Sequence, residues 1–446
     1  MPSRQDQLHS YQFMVQRVVS ALVMRETDPP QPPFRRAAGA ALASVLVATI
    51  ALAGFVVYGA LVDGDETGWR DSSAVIVERE SGARYVYRDG KLHLVPNYSS
   101  ALLIVGAAAP KTVLVSRRAI EDVPRGNPLG IAEAPESLPR PDRLLGPPWT
   151  ICSIAGRTSV LLVGAEAAGG AGLGDKGVLA RHPDGSLHLV WRNHRFRVGD
   201  PQLVLTALGW ATSRPAEVAP ALLDALPAGP HLARVRIPDA GDPSTHVPSA
   251  RIGDVFVVVS HGGGRQYAVA LRDGLAGITR LQADLLLAAH RQDRPTELPI
   301  GRFAAIDKLP DLGPDALFPM ETPVLAEPSG GGLCAVVRDE GVVDVKLGAA
   351  APELGDRPRS RNDASADHVV VAPGRAAVVE AVTKPDAAGG TVSIVTDLGR
   401  RHPVAGAEAL TMLGYGGVRP LRLPAAVVAL VDEGARLDPA VARAGG

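Results

Sequence analysis

The stretch nearest to nucleotide chemistry is Gly169-Gly170-Ala171-Gly172-Leu173-Gly174-Asp175-Lys176-Gly177. A phosphate loop needs Gly-x4-Gly-Lys-Ser/Thr, so that backbone N–H groups wrap the phosphates, the Lys reaches them and a hydroxyl holds magnesium. Here Asp175 puts a repelling carboxylate before Lys176, and Gly177 replaces the hydroxyl. The sequence predicts a glycine-rich surface loop over Ala167 to Gly177. Asp63-Gly64-Asp65-Glu66-Thr67-Gly68 begins like a calcium loop, but its twelfth position is Ala74 instead of Glu, which leaves an acidic linker. The 11 histidines form no HExxH or HxH pair for zinc, and no GxSxG nucleophile turn is present. Asp339-Glu340-Gly341 and Asp432-Glu433-Gly434 read as turns. His261-Gly262-Gly263-Gly264-Arg265 reads as a hairpin-like loop, with an anion nest as its alternative. No catalytic, cofactor-binding or metal site is expected.

Composition narrows the field further. At 446 residues the chain has room for about three domains. Lys+Arg 46 against Asp+Glu 47 leaves no surplus of positive charge to condense onto phosphate, which argues against nucleic acid as a partner. With Gly 48 and Pro 38, short strands and turns are expected ahead of a helical bundle.

One long element is unmistakable. Ala37 to Val62 carries neither charge nor proline. As a helix it reaches roughly 35–40 Å, enough to cross a bilayer with some tilt. Arg35 and Arg36 precede it, and Asp63, Asp65, Glu66 and Asp71 follow it. Basic flanks stay inside, so residues 1–36 are expected in the cytosol and 63–446 outside the plasma membrane. In the tail, Tyr11, Met14, Val15, Val18 and Leu22 recur at helical spacing. Ser10 is the expected N-cap, and Asp28-Pro29-Pro30 the end. A lone amphipathic helix cannot bury its stripe, so it lies on the bilayer or docks on a partner.

Outside the membrane, thiols oxidise. Cys152 and Cys334 are the only two cysteines, too few for a disulfide-rich scaffold or a four-cysteine zinc site. They are expected to pair, closing a long loop.

Four segments, near 74–106, 180–230, 252–290 and 388–436, share an order: strand, tight turn, strand, short apolar helix. The turns are read at Gly90, His194, Gly274 and Gly399. A hairpin and one helix make no core, so the units must pack on each other or on a shared sheet. Val255 to Val259, Val342 to Val345 and His368 to Val371 are candidates for that sheet. The expected fold is α+β: a cytosolic amphipathic helix, one transmembrane helix, and a β-rich outer domain of four repeats around a central β core.

The order of motifs resembles the EccB family, a membrane core component of type VII (ESX-type) secretion. It is carried by Ser81 to Val86 (SGARYV), Asn97-Tyr98-Ser99-Ser100-Ala101, Pro124-Arg125-Gly126 and Gly130-Ile131-Ala132-Glu133-Ala134-Pro135. It continues through Trp149, Cys152, Arg272-Asp273-Gly274-Leu275-Ala276, Gln282-Ala283, Leu333-Cys334 and Leu413-Gly414-Tyr415. The chain departs from the family in Asn193-His194, where a glycine is usual, and in ending soon after the last repeat. The resemblance implies four repeat subdomains, a disulfide between the matching cysteines, a homo-oligomer, and EccC-, EccD- and EccE-like partners. Some members are catalogued as ATPases, so ATP enters as a cofactor by family labelling alone.

Overall fold

The computed structural model describes residues 3–25, 34–62, 68–313, 317–327, 330–339, 341–354, 364–384, 387 and 389–445. It forms two compact bodies, Met1–Asp71 and Ser72–Gly446. The first holds helix α1 (Arg4–Met24) and helix α2 (Phe34–Val62). Ser3, not Ser10, caps α1: its hydroxyl accepts the Asp6 N–H at 3.3 Å, and the Asp6 carboxylate accepts the Ser3 N–H at 3.1 Å. A Ser followed by an acidic residue three positions on outcompetes a lone serine inside a good helical run. Asp28-Pro29-Pro30 and Asp63 to Thr67 lie outside the described residues. Within α2, Ser44 and Thr49 donate to the carbonyls of Ala40 and Val45 at 2.9 and 2.7 Å, so the hydroxyls are satisfied inside the helix.

The second body contains four units, each a sheet with the same strand order. In the first, Ala74–Glu78, Arg84–Arg88 and Lys91–Val95 form an antiparallel meander. The helix Tyr98–Val105 then returns the chain, and Lys111–Val115 pairs parallel with the first strand. The other meanders start at Val178–Arg181, Val255–Val259 and Ala376–Val382. Their parallel fourth strands are Ala216–Glu217, Thr296–Glu297 and Leu421–Pro424. Each sheet thus starts one strand before the hairpin that the sequence displays. A second short helix follows, and the chain then runs parallel to the third strand: as strands at Lys308–Leu309 and Asp432–Glu433, and as single bridges at Arg125 and Ala228. Asp432-Glu433 is therefore strand, where a turn was expected.

At that last pairing, side-chain size is matched across the strands. A Cβ on Gly126, Gly229 or Gly434 would run into the rings of His93, Phe196 or His402. In the third sheet the sizes reverse, and Ala276 faces Leu309. His93 and His402 use Nδ1 on the carbonyls of Asn127 and Ala435, at 2.8 and 2.9 Å.

The turns follow local chemistry. Asp89 and Gly90 both have positive φ, as the tight hairpin requires. In the second sheet the positive-φ pair is Arg192-Asn193, and His194 already belongs to the next strand, so the turn comes one residue earlier than expected. Gly274 is demanded by space, since a Cβ there would strike the Asp307 carbonyl.

A six-stranded sheet runs His368–Val370, Thr158–Leu162, Trp149–Ile154, Gly332–Arg338, Gly341–Ala349 and Gly169–Gly172. Its strands come from the segment between the first two units and from the segment between the last two. Val255–Val259 is absent from it, because that run pairs with Arg265–Leu271 in its own meander. Trp149 to Ile154 is buried on both faces. Trp149, Ile151, Leu161 and Ala335 pack with Leu222 of the second unit and Val427 of the fourth. Units one and four share a core of Val75, Leu103, Val378 and Leu410. Unit two lays Leu189 and Phe196 against Leu281 and Leu285 of unit three.

Candidate functional site

The residues that carry family resemblance are spent on the fold. Asn97 accepts the Ser100 N–H at 2.9 Å and donates to the Ile131 carbonyl at 2.8 Å, tying two motifs together. Thr279 and Gln282 form a reciprocal capping box. The Tyr415 hydroxyl donates to Pro139 O. Cys152 and Cys334 sit opposite each other on neighbouring central strands and are joined in a disulfide, 182 residues apart in sequence.

The glycine-rich stretch is partly strand. Gly169–Gly172 forms an edge of the central sheet and pairs with Gly341–Ala349, which the expected loop did not anticipate. The Gly177 N–H donates to Val324 O at 2.9 Å and the Lys176 N–H to Leu173 O at 3.0 Å. Asp175 takes the Arg192 guanidinium at 3.0 Å. The amides of Lys176 and Gly177, which a phosphate loop would turn to its ligand, are thus engaged. In the His261–Arg265 turn, Gly263 donates to Ser260 O and Ser260 to Gly264 O, both at 2.9 Å, so the nest is closed by its own backbone. Among the described residues no group of three or more His, Cys, Asp or Glu is arranged to hold a metal ion.

Along α1, Tyr11, Met14, Val15, Val18 and Leu22 are all exposed, Leu22 by 78%. Phe13 is exposed too and lies off that stripe. In α2, Ala38–Val57 has a mean hydropathy of 2.5 and none of it is buried. This length and composition suit a membrane span.

The second unit also holds a polar cavity of about 280 Å³ lined by His182, Asp184, Ser186, His188, Arg195, Arg197 and His231. Register explains the grouping: Arg197 faces His188 across the strands, and Arg195 lies two residues away on the same face. Ser186, through its side chain and its N–H at 2.7 Å, and then His182 at 2.8 Å hold the Asp184 carboxyl well below the usual range. Burial pushes His188 down to about 4, and Arg195, His182 and Arg197 add to the shift. His188 Nε2 lies 3.2 Å from Ser186 Oγ, while His188 Nδ1 and Arg195 Nε are buried without a hydrogen-bond partner. The sequence offered one sign of this cluster, the alternation Arg195-Phe196-Arg197, but its facing residues depend on strand register.

A family model described as "Type VII secretion system ESX-1, transport TM domain B" matches residues 1–445. The chain is similar to the ESX-2 secretion system ATPase EccB2 of Mycobacterium tuberculosis, at 33% identity over 302 residues, covering 65% of this chain and 59% of that protein. It is 28% identical over 298 residues to the ESX-3 secretion system ATPase EccB3 of Mycolicibacterium smegmatis, covering 63% and 56%. The matched region thus spans under two thirds of those relatives. Among solved structures, a chain of an intact ESX-5 inner membrane complex superposes with a TM-score of 0.65 at 27% identity, covering 99% of this chain and 95% of that one. A chain of the EccB3 dimer from the ESX-3 core complex gives 0.65 at 26%, covering 83% and 99%. With the family model matched from one end to the other, this chain belongs to the EccB family of type VII secretion systems.

Proposed function

We propose that this chain is a structural subunit of a type VII secretion membrane complex, supporting protein export across the cytoplasmic membrane. The observation that carries this is the likeness, over 99% of the chain, to a subunit of a solved inner membrane complex. Arg35 and Arg36 before the span and the acidic residues after it support a cytosolic N-terminus and an outer β-rich domain. The shared strand order and the ring-on-glycine pairs support reading the four sheets as repeats of one unit about the central sheet.

Tyr11, Met14, Val15, Val18 and Leu22 are read as the face by which α1 docks on a cytosolic, ATPase-bearing partner of the EccC kind. EccD- and EccE-like proteins and further copies of this chain complete the assembly. The names of the relatives favour an alternative, an ATP-hydrolysing subunit of the same system. Against it stand Asp175, Gly177 and the engaged amides of the glycine-rich stretch.

The test is purification of tagged chain from its native membrane, wild type beside Val15→Asp/Val18→Asp. Wild type should bring down the other core components; the variant should reach the membrane but lose the ATPase-bearing partner and secretion. Normal assembly by the variant would remove the docking role. ATP turnover by wild type that Lys176→Ala abolishes would favour the alternative.

A further inference from the structure

We infer that the cavity of the second unit is a binding site for a phosphate group, free or as a terminal monoester. Two guanidinium groups, Arg195 and Arg197, project from alternate positions of one strand onto the same face. Arg195 has one carboxylate nearby, Asp224 at 3.6 Å, and no ion pair to Arg197 is formed among the described residues. The single acid in the lining, Asp184, stays ionised and is held by Ser186 and His182. Two guanidinium groups outweigh it, so the lining is net positive. Paired arginines present N–H forks that match the oxygens of a dianion.

Beneath them the cluster is under-satisfied. His188, only 7% exposed, leaves Nδ1 without a partner, and Arg195 leaves Nε in the same state. Buried polar atoms in folded proteins nearly always find a partner, and a site that lacks one gains by admitting an acceptor. His182 and His231 offer further N–H groups, and His188 offers Nδ1–H when its Nε2 accepts the Ser186 hydroxyl. At about 280 Å³ the cavity takes a phosphate with a small substituent and excludes a long polymer from its floor. A carboxylate brings one charge and two oxygens, against two charges and three free oxygens in a phosphate monoester dianion.

The probe is inorganic phosphate, titrated into the full chain in detergent at fixed ionic strength, with calorimetry and the unfolding midpoint as readouts. Parallel arms use glycerol 3-phosphate, acetate and chloride. Saturable binding of phosphate, absent with acetate and chloride, is expected. Equal binding of glycerol 3-phosphate assigns the site to monoesters; binding of phosphate alone assigns it to the free ion. Arg197→Gln, an exposed position, should weaken binding about tenfold while leaving the ligand-free midpoint unchanged. Acetate binding as tightly as phosphate, or a phosphate effect that survives in Arg195→Gln/Arg197→Gln, overturns the inference.

Discussion

In the β-rich domain, Ile151, Leu161, Leu189 and Val379 are wholly shielded from solvent; in the N-terminal unit, Leu42, Ile50 and Phe55 of α2 are 73%, 64% and 78% exposed. Side chains of one chemical kind thus meet opposite fates. The β-rich domain closes on itself because four meanders and a central sheet cover one another's apolar faces in shared cores. The two helices instead leave large apolar side chains exposed, Leu22 and Phe55 by 78% each. Self-sufficiency of the fold and dependence on a bilayer or partner are thereby segregated along the chain.

The most severe way to probe that division is a charge in the central sheet. Ile151→Asp buries a carboxylate without a partner and removes a fully packed side chain, which together cost several kcal/mol. The domain should become protease-sensitive at 25 °C. Next comes the staple. Cys152→Ala/Cys334→Ala releases a loop with a separation of 182 residues, worth at most about 5 kcal/mol on the chain-entropy model, and should lower the urea midpoint markedly.

The ring-on-glycine pairing offers a finer test of whether the meanders are interchangeable. Gly229→Leu drives a side chain into the Phe196 ring and should cost about 1–3 kcal/mol. Adding Phe196→Ala copies the Ala276–Leu309 arrangement of the third unit and should recover much of that loss. Losses that simply add would show that the sheets are not equivalent at this position. His188 gives a smaller, pH-dependent effect. Its imidazole falls from an ordinary 6.5 to about 4 on folding, so its neutral form is favoured in the native state. That stability is complete above pH 6.5 and is lost as pH falls toward 4, by about 2 kcal/mol or less at pH 4.5. Urea midpoints at pH 7 and pH 4.5 should therefore converge more closely in His188→Gln than in wild type.

What the sequence disclosed was local. The span is an uninterrupted run, and the Asp89-Gly90 turn is a dipeptide with a conformational demand, so both could be read without knowing what they touch. Pairing between distant segments was not legible. Val255 to Val259 is apolar throughout, and such a run suits any strand buried on both faces. The two-residue strands Ala216–Glu217 and Thr296–Glu297 have no apolar pattern at all. The cavity of His182, His188, Arg195 and Arg197 draws on two strands of one meander and the turn before them, and the strands' register decides which side chains meet. The misplaced cap of α1 has another cause: Ser3 and Ser10 both have the right chemistry, and Asp6 alone makes Ser3 the better one.

The least effect on fold is expected where the hydrophobic residues are most exposed. Val15→Asp and Val18→Asp introduce the same carboxylate as Ile151→Asp, but into side chains already 44% and 54% exposed. Nothing in the folded chain is desolvated by the change, and α1 loses only a few tenths of a kcal/mol of helix propensity per residue. The urea midpoint of the β-rich domain should be identical to wild type, and the chain should still enter the membrane through α2. Any cost must then fall on whatever covers the stripe, where an aliphatic side chain is worth about 1.5–3 kcal/mol when fully buried. Native electrophoresis of detergent extracts reads that cost as loss of the large assembly with a normal amount of chain. A drop in the domain's own midpoint would instead mean that α1 supports the fold, and the division between the two regions would fail.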